Sequence, residues 1–357
     1  MVRFCHLLAQ SGYQIALICR HQGGIPEEQF PHEMTFYQLS STSLRMKYTE
    51  IRNYIDDFQP HIVHLHYLAK DCIIPALRWP RPYRYLISVW GSDINIDAGK
   101  LLNRVVQSLG LLLCDRIHIL SSYFENKMRH LYPMVQRKKL EIFSWGVDYD
   151  FLSKRIPDEE INLREILGIG VSDRVVLSYR NHKQIYNHHT LLRAIPVICE
   201  KYPQAKFIFT RSSFDPLYLE KTHRLVEELA INKNFIFIDR WLGNAELRNL
   251  RHLADCIVNI PFQDGLPATL FEIMATKAIP VVTELLSYKP FFIDGENGFY
   301  LKEPTSHHQL AEIIQKVFSN LEYFKNKFST KNNSYIREHQ NWSKQSARFL
   351  NFYTIDN

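Results

Sequence analysis

The chain has 357 residues, 46% of them hydrophobic, with a formal net charge of +6 and a pI of about 8.8. That is enough chain for two domains with apolar cores of their own. No apolar run of about eighteen residues occurs, which argues against a membrane-spanning helix, and the opening residues lack the charged, apolar and small-residue order of a secretory signal.

Residues 2–12 have the spacing of an amphipathic helix closed by a glycine. Short, almost wholly apolar runs then alternate with longer helical patterns. In the first half, strands are expected at 14–19, 61–66, 85–89, 116–120 and 140–143, and helices at 43–58 and 100–113. In the second half, strands are expected at 175–178, 206–210, 235–238, 256–260 and 279–283, and helices at 190–201, 216–231 and 245–253. Runs apolar on both faces suit strands buried between layers, and their alternation with helices argues for parallel sheets with right-handed crossovers. The alternation occurs twice, with a break near 146–157. The expected fold is α/β, with two Rossmann-like, doubly wound domains facing a cleft, at residues 1–148 and 149–334. There are no internal repeats and no low-complexity segment.

The six cysteines, Cys5, Cys19, Cys72, Cys114, Cys199 and Cys256, are scattered, with no Cys-x-x-Cys pair. They read as reduced core thiols of a cytoplasmic protein, not as disulfides or zinc ligands. Basic residues cluster at Arg78-Trp-Pro-Arg-Pro-Tyr-Arg84 and Arg137-Lys-Lys139. These are either solvated faces or a surface meeting anionic lipid, where each cation contributes about 1 kcal/mol. Nucleic-acid binding is disfavoured, since no basic helix, zinc spacing or aromatic platform accompanies them.

The densest chemistry lies in Asp264-Gly-Leu-Pro-Ala-Thr-Leu-Phe-Glu272, followed by Ile-Met-Ala-Thr-Lys-Ala-Ile-Pro-Val-Val-Thr283. A strand ends at Pro261, and the loop 262–266 opens a helix near Pro267, where proline suits the first turn. Helix starts present free N–H groups and a positive dipole end to anions. A diphosphate held there, with backbone N–H groups at Gly265, Leu266 and Thr269 completing the cradle, would have Asp264 at one end and Glu272 at the other. Asp264 also reads as a turn or capping residue, and Glu272 as an ordinary helix glutamate. Glu272, however, sits among Leu270, Phe271, Ile273 and Met274, where a carboxylate needs a partner. Arg180 follows a strand at its carboxyl end, where α/β folds bind ligands, and it suits charge developing on a leaving diphosphate. Lys183 is the next cation, and both also fit a solvated loop. His64 and His66 share one strand face with His61 on the other, too few converging ligands for a metal. Packing or lining a cleft is left for them, with His66 favoured in the cleft. The doublets His188-His189 and His307-His308 are expected at the surface.

With Ile62-Val-His-Leu-His66, Val89-Trp-Gly-Ser-Asp93, Trp145-Gly-Val-Asp148 and Asp294-Gly-Glu-Asn-Gly298 in the same order along the chain, the Asp264–Glu272 stretch resembles the donor-site signature of retaining glycosyltransferases with the GT-B fold, family four. The family pattern is an acid, seven residues, Glu, a small-residue helix and Pro-Val-Val. The chain departs from it at Asp264, where Glu is usual, and at Lys277-Ala278, where Gly is common. It departs again at Ile185, where a lysine is usual, and at Trp90, where many relatives carry a catalytic His.

The resemblance implies transfer of a sugar, with retention, from a nucleotide-diphosphate sugar to a glycan or lipid-linked acceptor in polysaccharide, lipopolysaccharide or other glycoconjugate biosynthesis. Arg180 and Lys183 would grip the diphosphate, Glu272 the ribose and Asp264 the transferred sugar, so Arg180, Asp264 and Glu272 form the expected catalytic set. His66, Gly91, Ser92 and Asp93 would face the acceptor. The leaving phosphate would take the acceptor proton, so Trp90 costs less than it first suggests. No cofactor is implied beyond the donor. No metal is implied either, since no Asp-x-Asp stands in a suitable strand-end loop. The first domain would bind acceptor and the second donor. A helix over 335–357, rich in aromatics, would cross back onto the first domain. The enzyme is expected in the cytoplasm, in peripheral contact with the inner face of the plasma membrane. In the family a strand and a Gly-rich loop precede the helix at 2–12. Here they are absent, either because the start lies too late or because the chain is truncated, and an apolar gap with unpaired strand edges is expected in their place. The competing possibilities are another GT-B enzyme, such as a sugar-nucleotide epimerase, and a catalytically silent scaffold. A dinucleotide oxidoreductase and a serine hydrolase are disfavoured, for want of Gly-x-Gly-x-x-Gly after a strand and of a nucleophile elbow.

Overall fold

The computed structural model describes residues 1–19, 29–41, 43–77, 81–95, 97–211, 213–266 and 268–354. They form two compact units, Met1–Ser144 with Gln345–Asn357, and Trp145–Lys344. Pro267 and the Arg78-Trp-Pro part of the first basic cluster lie outside the described residues.

In the first unit, β1 (Ala16–Cys19) pairs in parallel with β2 (Thr35–Gln38). A separate parallel sheet runs in the order β3 (Ile62–His66), β4 (Arg84–Ser88), β5 (Arg116–Ile119), β6 (Leu140–Ile142). β4 and β5 are buried beyond their first residues, as strands between helical layers should be. β1 and β3 are only half-buried along their whole length. Among the described residues β1 bonds only to β2, and β3 only to β4. Both strands border one cavity of about 1110 Å³, with Phe4, Leu8, Phe36, Ile55 and Leu65 in its walls. The gap therefore borders both sheets of the first unit. The helix Val2–Gln10 turns its Phe4, Cys5 and Leu8 inward, and Gly12 takes the left-handed φ of +83° that lets the chain turn towards β1.

The last helix is shorter than expected. Leu321–Tyr335 is a separate helix, followed by a π-helical turn at Ile336–Gln340 and then Trp342–Tyr353. From Gln345 onward the chain belongs to the first unit, where Phe349 packs on Phe4 with ring centroids 4.1 Å apart. Tyr353 closes a polar chain beneath it. Its hydroxyl bonds His64 Nδ1, His64 Nε2 bonds Ser88 Oγ at 2.7 Å, Ser88 Oγ bonds His118 Nδ1 at 3.0 Å, and His118 Nε2 meets the Phe143 carbonyl at 2.8 Å. One assignment of hydrogens satisfies every link: each imidazole is neutral, with its proton on Nε2. His64 thus spends both ring nitrogens on packing. The first basic cluster is also structural where it is described. Arg81 pairs with Asp115 at 2.7 Å, and Arg84 donates to the Thr354 carbonyl at 2.5 Å. In the second cluster Arg137 pairs with Glu125.

The second unit holds β7 (Val175–Ser178), β8 (Lys206–Thr210), β9 (Phe235–Ile238), β10 (Cys256–Asn259), β11 (Ile279–Thr283) and β12 (Phe299–Leu301). All are parallel, in the order β12-β11-β10-β7-β8-β9. Val176, Phe207, Phe209, Val258 and Val281 are fully buried in its core. The chain winds outward from β7 through β8 and β9 on one side and from β10 through β11 and β12 on the other. The crevice at the carboxyl ends of β7 and β10 is consequently the topological switch point, where open α/β sheets take their ligands.

Candidate active site

The expected donor residues converge on that switch point. Arg180 stands two residues past β7, Asn259 ends β10, and Asp264 lies in the loop that follows. Arg180 and Asp264 form an ion pair with Nη1 to Oδ2 at 2.9 Å, their side chains only 12% and 14% exposed. Arg180 also reaches Asn259 Oδ1 at 3.3 Å and lies over the Tyr186 ring at 4.4 Å. Burial opposes the Arg180 charge most, but Asp264, Tyr288 and Tyr186 together outweigh it and raise the guanidinium pKa. Asp264 is held further by the Tyr288 hydroxyl at 3.0 Å and by the Gly265 N–H at 2.8 Å. Burial, then the Asp264 charge, raises the Tyr288 pKa, so the phenol stays a donor.

Glu272 lies in the helix Ala268–Met274 and pairs with Arg251 at 2.7 Å; the two side chains are 27% and 5% exposed. The Tyr179 hydroxyl bonds Glu272 Oε2 and the Thr269 carbonyl, both at 3.3 Å, and Arg251 lies over the Tyr179 ring at 4.7 Å. The partner that an acid among apolar residues requires is thus a protein cation, which the sequence reading missed. The available signal was Arg251 itself, a cation between Leu250 and Leu253 in a helix whose apolar face packs inward.

The pair alters the mutation of choice at Glu272. Glu272→Ala strands a buried guanidinium and is expected to destabilise the unit as well as the site. Glu272→Gln keeps the bonds to Arg251 and Tyr179. If Glu272 binds ribose, Glu272→Gln should weaken nucleoside diphosphate affinity by about 1.5 kcal/mol, roughly tenfold. Calorimetric titration reads this, and unchanged affinity with an unchanged melting point contradicts a ribose role.

The other expected donor residues are placed unevenly. Lys183 is exposed, Gly265 and Leu266 are buried, and Thr269 is half-buried. The helix after Asp264 has seven residues, too short to act as an anion site by its dipole alone. The Asp294–Gly298 motif is a self-bonded turn. Tyr300 N donates to Asp294 Oδ1 at 2.8 Å, Gly295 N to the Gly298 carbonyl at 2.8 Å, and a Cβ at Gly298 would lie 2.4 Å from the Pro280 carbonyl oxygen. It delivers β12, and these polar groups bond within the turn and to the start of that strand.

His188 and His189 are not at the surface. His188 is buried, bonds Ser178 Oγ at 3.1 Å and the Asn181 carbonyl at 3.0 Å, and stacks on buried His182 at 4.3 Å. His189 bonds Thr222 Oγ1 at 3.1 Å. The helix begins at His188, and its first turn packs against the end of β7, which draws the doublet inward. Burial pushes the His182 pKa down to about 2 and the His188 and His189 pKa values down to about 4. In the unfolded chain each titrates near 6.5. Their contribution to stability is therefore fully present above about pH 6.5 and is lost as the pH falls towards 4. The melting temperature should drop across that window and drop less steeply in His188→Gln; a flat profile contradicts this.

In the first unit, His66 ends β3, half-buried, with its ring edge to Trp90 at 6.1 Å. Ser92 is exposed, and Gly91 is buried with φ at +118°. Asp93 is fully buried, and its carboxylate accepts from the backbone N–H of Leu68, Trp90, Gly91 and Ile94. It organises the loop and is not placed to touch an acceptor, which corrects the expectation for this residue. Among the described residues no cluster of three or more His, Cys, Asp or Glu side chains is arranged to hold a metal ion. All six cysteines are free thiols, buried or half-buried.

The fold is shared with several solved proteins. Sucrose-phosphate synthase from Thermosynechococcus elongatus aligns with a TM-score of 0.82 at 14% identity over 98% of this chain and 91% of that one. Anabaena HepE, solved with UDP and glucose, gives 0.81 at 13% identity over 98% and 95%. WaaG, a glycosyltransferase involved in lipopolysaccharide biosynthesis, gives 0.79 at 15% identity over 99% and 95%. These likenesses define a GT-B fold. Residues 159–335 match the family described as Glycosyl transferases group 1, and residues 1–122 match Glycosyl transferase 4-like. The chain belongs to this family of GT-B glycosyltransferases. It is 23% identical to spore coat protein SA of Bacillus subtilis (strain 168), over 72% of this chain and 69% of that protein. It is 25% identical to the putative glycosyltransferase EpsD of the same strain, over 45% and 41%.

Proposed function

We propose that the protein moves a sugar from a nucleoside-diphosphate sugar to a glycan or lipid-linked acceptor, with retention and without a metal, in polysaccharide, lipopolysaccharide or other glycoconjugate synthesis. The observation that carries this is the Arg180–Asp264 pair at the switch point between β7 and β10. A diphosphate arriving there competes with Asp264 for the Arg180 guanidinium, as a planar cation favours bidentate phosphate contacts. Freed from Arg180, Asp264 turns to the hydroxyls of the sugar, while Tyr288 keeps it oriented. Arg180 then neutralises charge as the glycosidic bond breaks, and Lys183, on the exposed side of the same loop, adds a second cation. Backbone N–H groups of Gly265, Leu266 and Thr269 assist, and Glu272 takes the ribose. UDP and glucose bound in HepE support a nucleotide-sugar donor. The first unit takes the acceptor, with His66, Gly91 and Ser92 as contacts, at the cytoplasmic face of a membrane.

Proton NMR of the anomeric signals, with UDP-, GDP- and ADP-sugars in the presence of EDTA, tests this. A product that keeps the donor configuration is expected, at a rate EDTA does not change. An inverted product contradicts retention, and a loss of rate in EDTA contradicts the metal-free step. Epimer formed without acceptor selects an epimerase. Nucleotide that binds and is never consumed selects a silent scaffold, the alternative favoured by the internal pairing of both Arg180 and Glu272.

A further inference from the structure

Helix Leu101–Leu113 is amphipathic in the wrong sense for a helix on a soluble unit. Its buried residues are Asn103, Gln107, Gly110 and Leu111. Its outward residues are Leu101, Leu102, Val105, Leu109 and Leu113, between 43% and 75% exposed. Positions 101, 105, 109 and 113 are spaced by four, so they form one continuous aliphatic stripe. The helix cannot roll to bury it. Gln107 donates to the carbonyls of Leu68 at 2.7 Å and Asp93 at 3.3 Å, and accepts from the Tyr132 hydroxyl at 2.7 Å. Gly110 is pressed so closely on Cys72 that a Cβ there would lie 2.6 Å from its sulfur. A contiguous exposed apolar face of this kind marks an interaction site.

The geometry points to an anionic membrane surface, on which this helix lies in the plane of the interface. Charge selects that partner. Residues 98–114 contain no Asp or Glu and carry Lys100 and Arg104 at the amino end. At the carboxyl end Lys139 bonds the carbonyls of Leu112 and Cys114, both at 2.7 Å, and Lys138 beside it is exposed. Cations at both ends of an aliphatic stripe match the interfacial helix that sinks leucines among acyl chains while its basic residues meet lipid phosphates. A second copy of the chain fits less well, because a two-fold contact through this stripe brings no carboxylate from residues 98–114 to meet those cations.

This deepens the membrane contact named above and is independent of the donor chemistry. A protein that consumes donor but ignores vesicles overturns the helix face alone, and one that binds vesicles but consumes no donor overturns sugar transfer alone. The test is flotation of the full chain with vesicles of phosphatidylcholine, with and without an equal part of phosphatidylglycerol. Binding to the anionic vesicles is expected. The double variant Val105→Glu, Leu109→Glu should lower it at least tenfold while nucleotide affinity and melting temperature stay unchanged, both positions being exposed. Lys138→Glu should lower binding several-fold, and only where phosphatidylglycerol is present. Failure of the unmutated chain to float, or equal flotation of the double variant, overturns the proposal. So does a dimer, seen by light scattering, that Leu109→Glu dissociates, since the face then belongs to a second copy.

Discussion

Arg180→Ala is expected to reduce turnover by about 100- to 1,000-fold, the range seen when one donor to a developing oxyanion is removed. The effect on donor affinity should be smaller, because negative charge on the diphosphate grows as the glycosidic bond breaks. Added Mg²⁺ or Mn²⁺ should not restore the rate. The variant also leaves Asp264, 14% exposed, without its cation, and breaking a buried pair costs roughly 3–5 kcal/mol. Arg180→Lys separates the two consequences. It keeps a positive charge opposite Asp264, so the melting point should recover, but it lacks the planar fork, so turnover should recover only in part. Full turnover in folded Arg180→Ala, or rescue by metal, contradicts the proposed role.

The second large effect concerns the first unit. Among the described residues β1 bonds only to β2 and β3 only to β4, and both border one cavity of about 1110 Å³ whose walls include Phe4, Leu8 and Leu65. A strand placed there would gain two ladders of hydrogen bonds and bury its side chains on both faces. Each fully buried Val or Ile contributes about 1.5–3 kcal/mol, against about 1.5 kcal/mol to order a residue. A five-residue Val/Ile strand joined to Met1 through a short Gly-rich linker should therefore stabilise the unit by about 3 kcal/mol. That corresponds to roughly 6–12 °C for a domain of this size. Amide exchange at Ile18 and His64, whose N–H groups point away from β2 and β4, should slow sharply in the same protein. Without the added strand, the first unit should melt before the second. An unchanged melting point together with unchanged exchange at β1 and β3 contradicts the strand-slot interpretation.

The fold was legible wherever burial was two-sided. β7, β8 and β11 were expected at the residues where they occur, because a strand between helical layers is apolar almost throughout; β9 was too, although it is a half-buried edge strand. β2 and β12 gave no such signal: one is four residues with exposed ends, and the other is three residues long. Arg180, Asp264 and Glu272 were legible from their places after strands and on a helix. Their partners were not. Tyr288 and Arg251 lie 24 and 21 positions from the acids they hold, on other elements, and only the sheet order brings them together. Asp93 and His188 misled for one reason. A polar residue beside a strand end looks available to a ligand or to solvent, yet there each satisfies backbone or neighbouring polar groups inside the fold. Periodicity located the helix near 101–113, but only the contacts of Gln107 and Gly110 show which of its faces is outward.

The most direct test of the central claim is amide exchange of the full chain with UDP, GDP or ADP added in turn. With at least one of them, protection is expected in residues 179–187 and 262–272, the loops that follow β7 and β10 with Arg180 and Asp264, and the helix that carries Glu272. Glu272→Gln should lose most of that protection at equal nucleotide concentration. No protection with any of the three nucleotides, or protection confined to Met1–Ser144, contradicts a donor site at the switch point of the second unit.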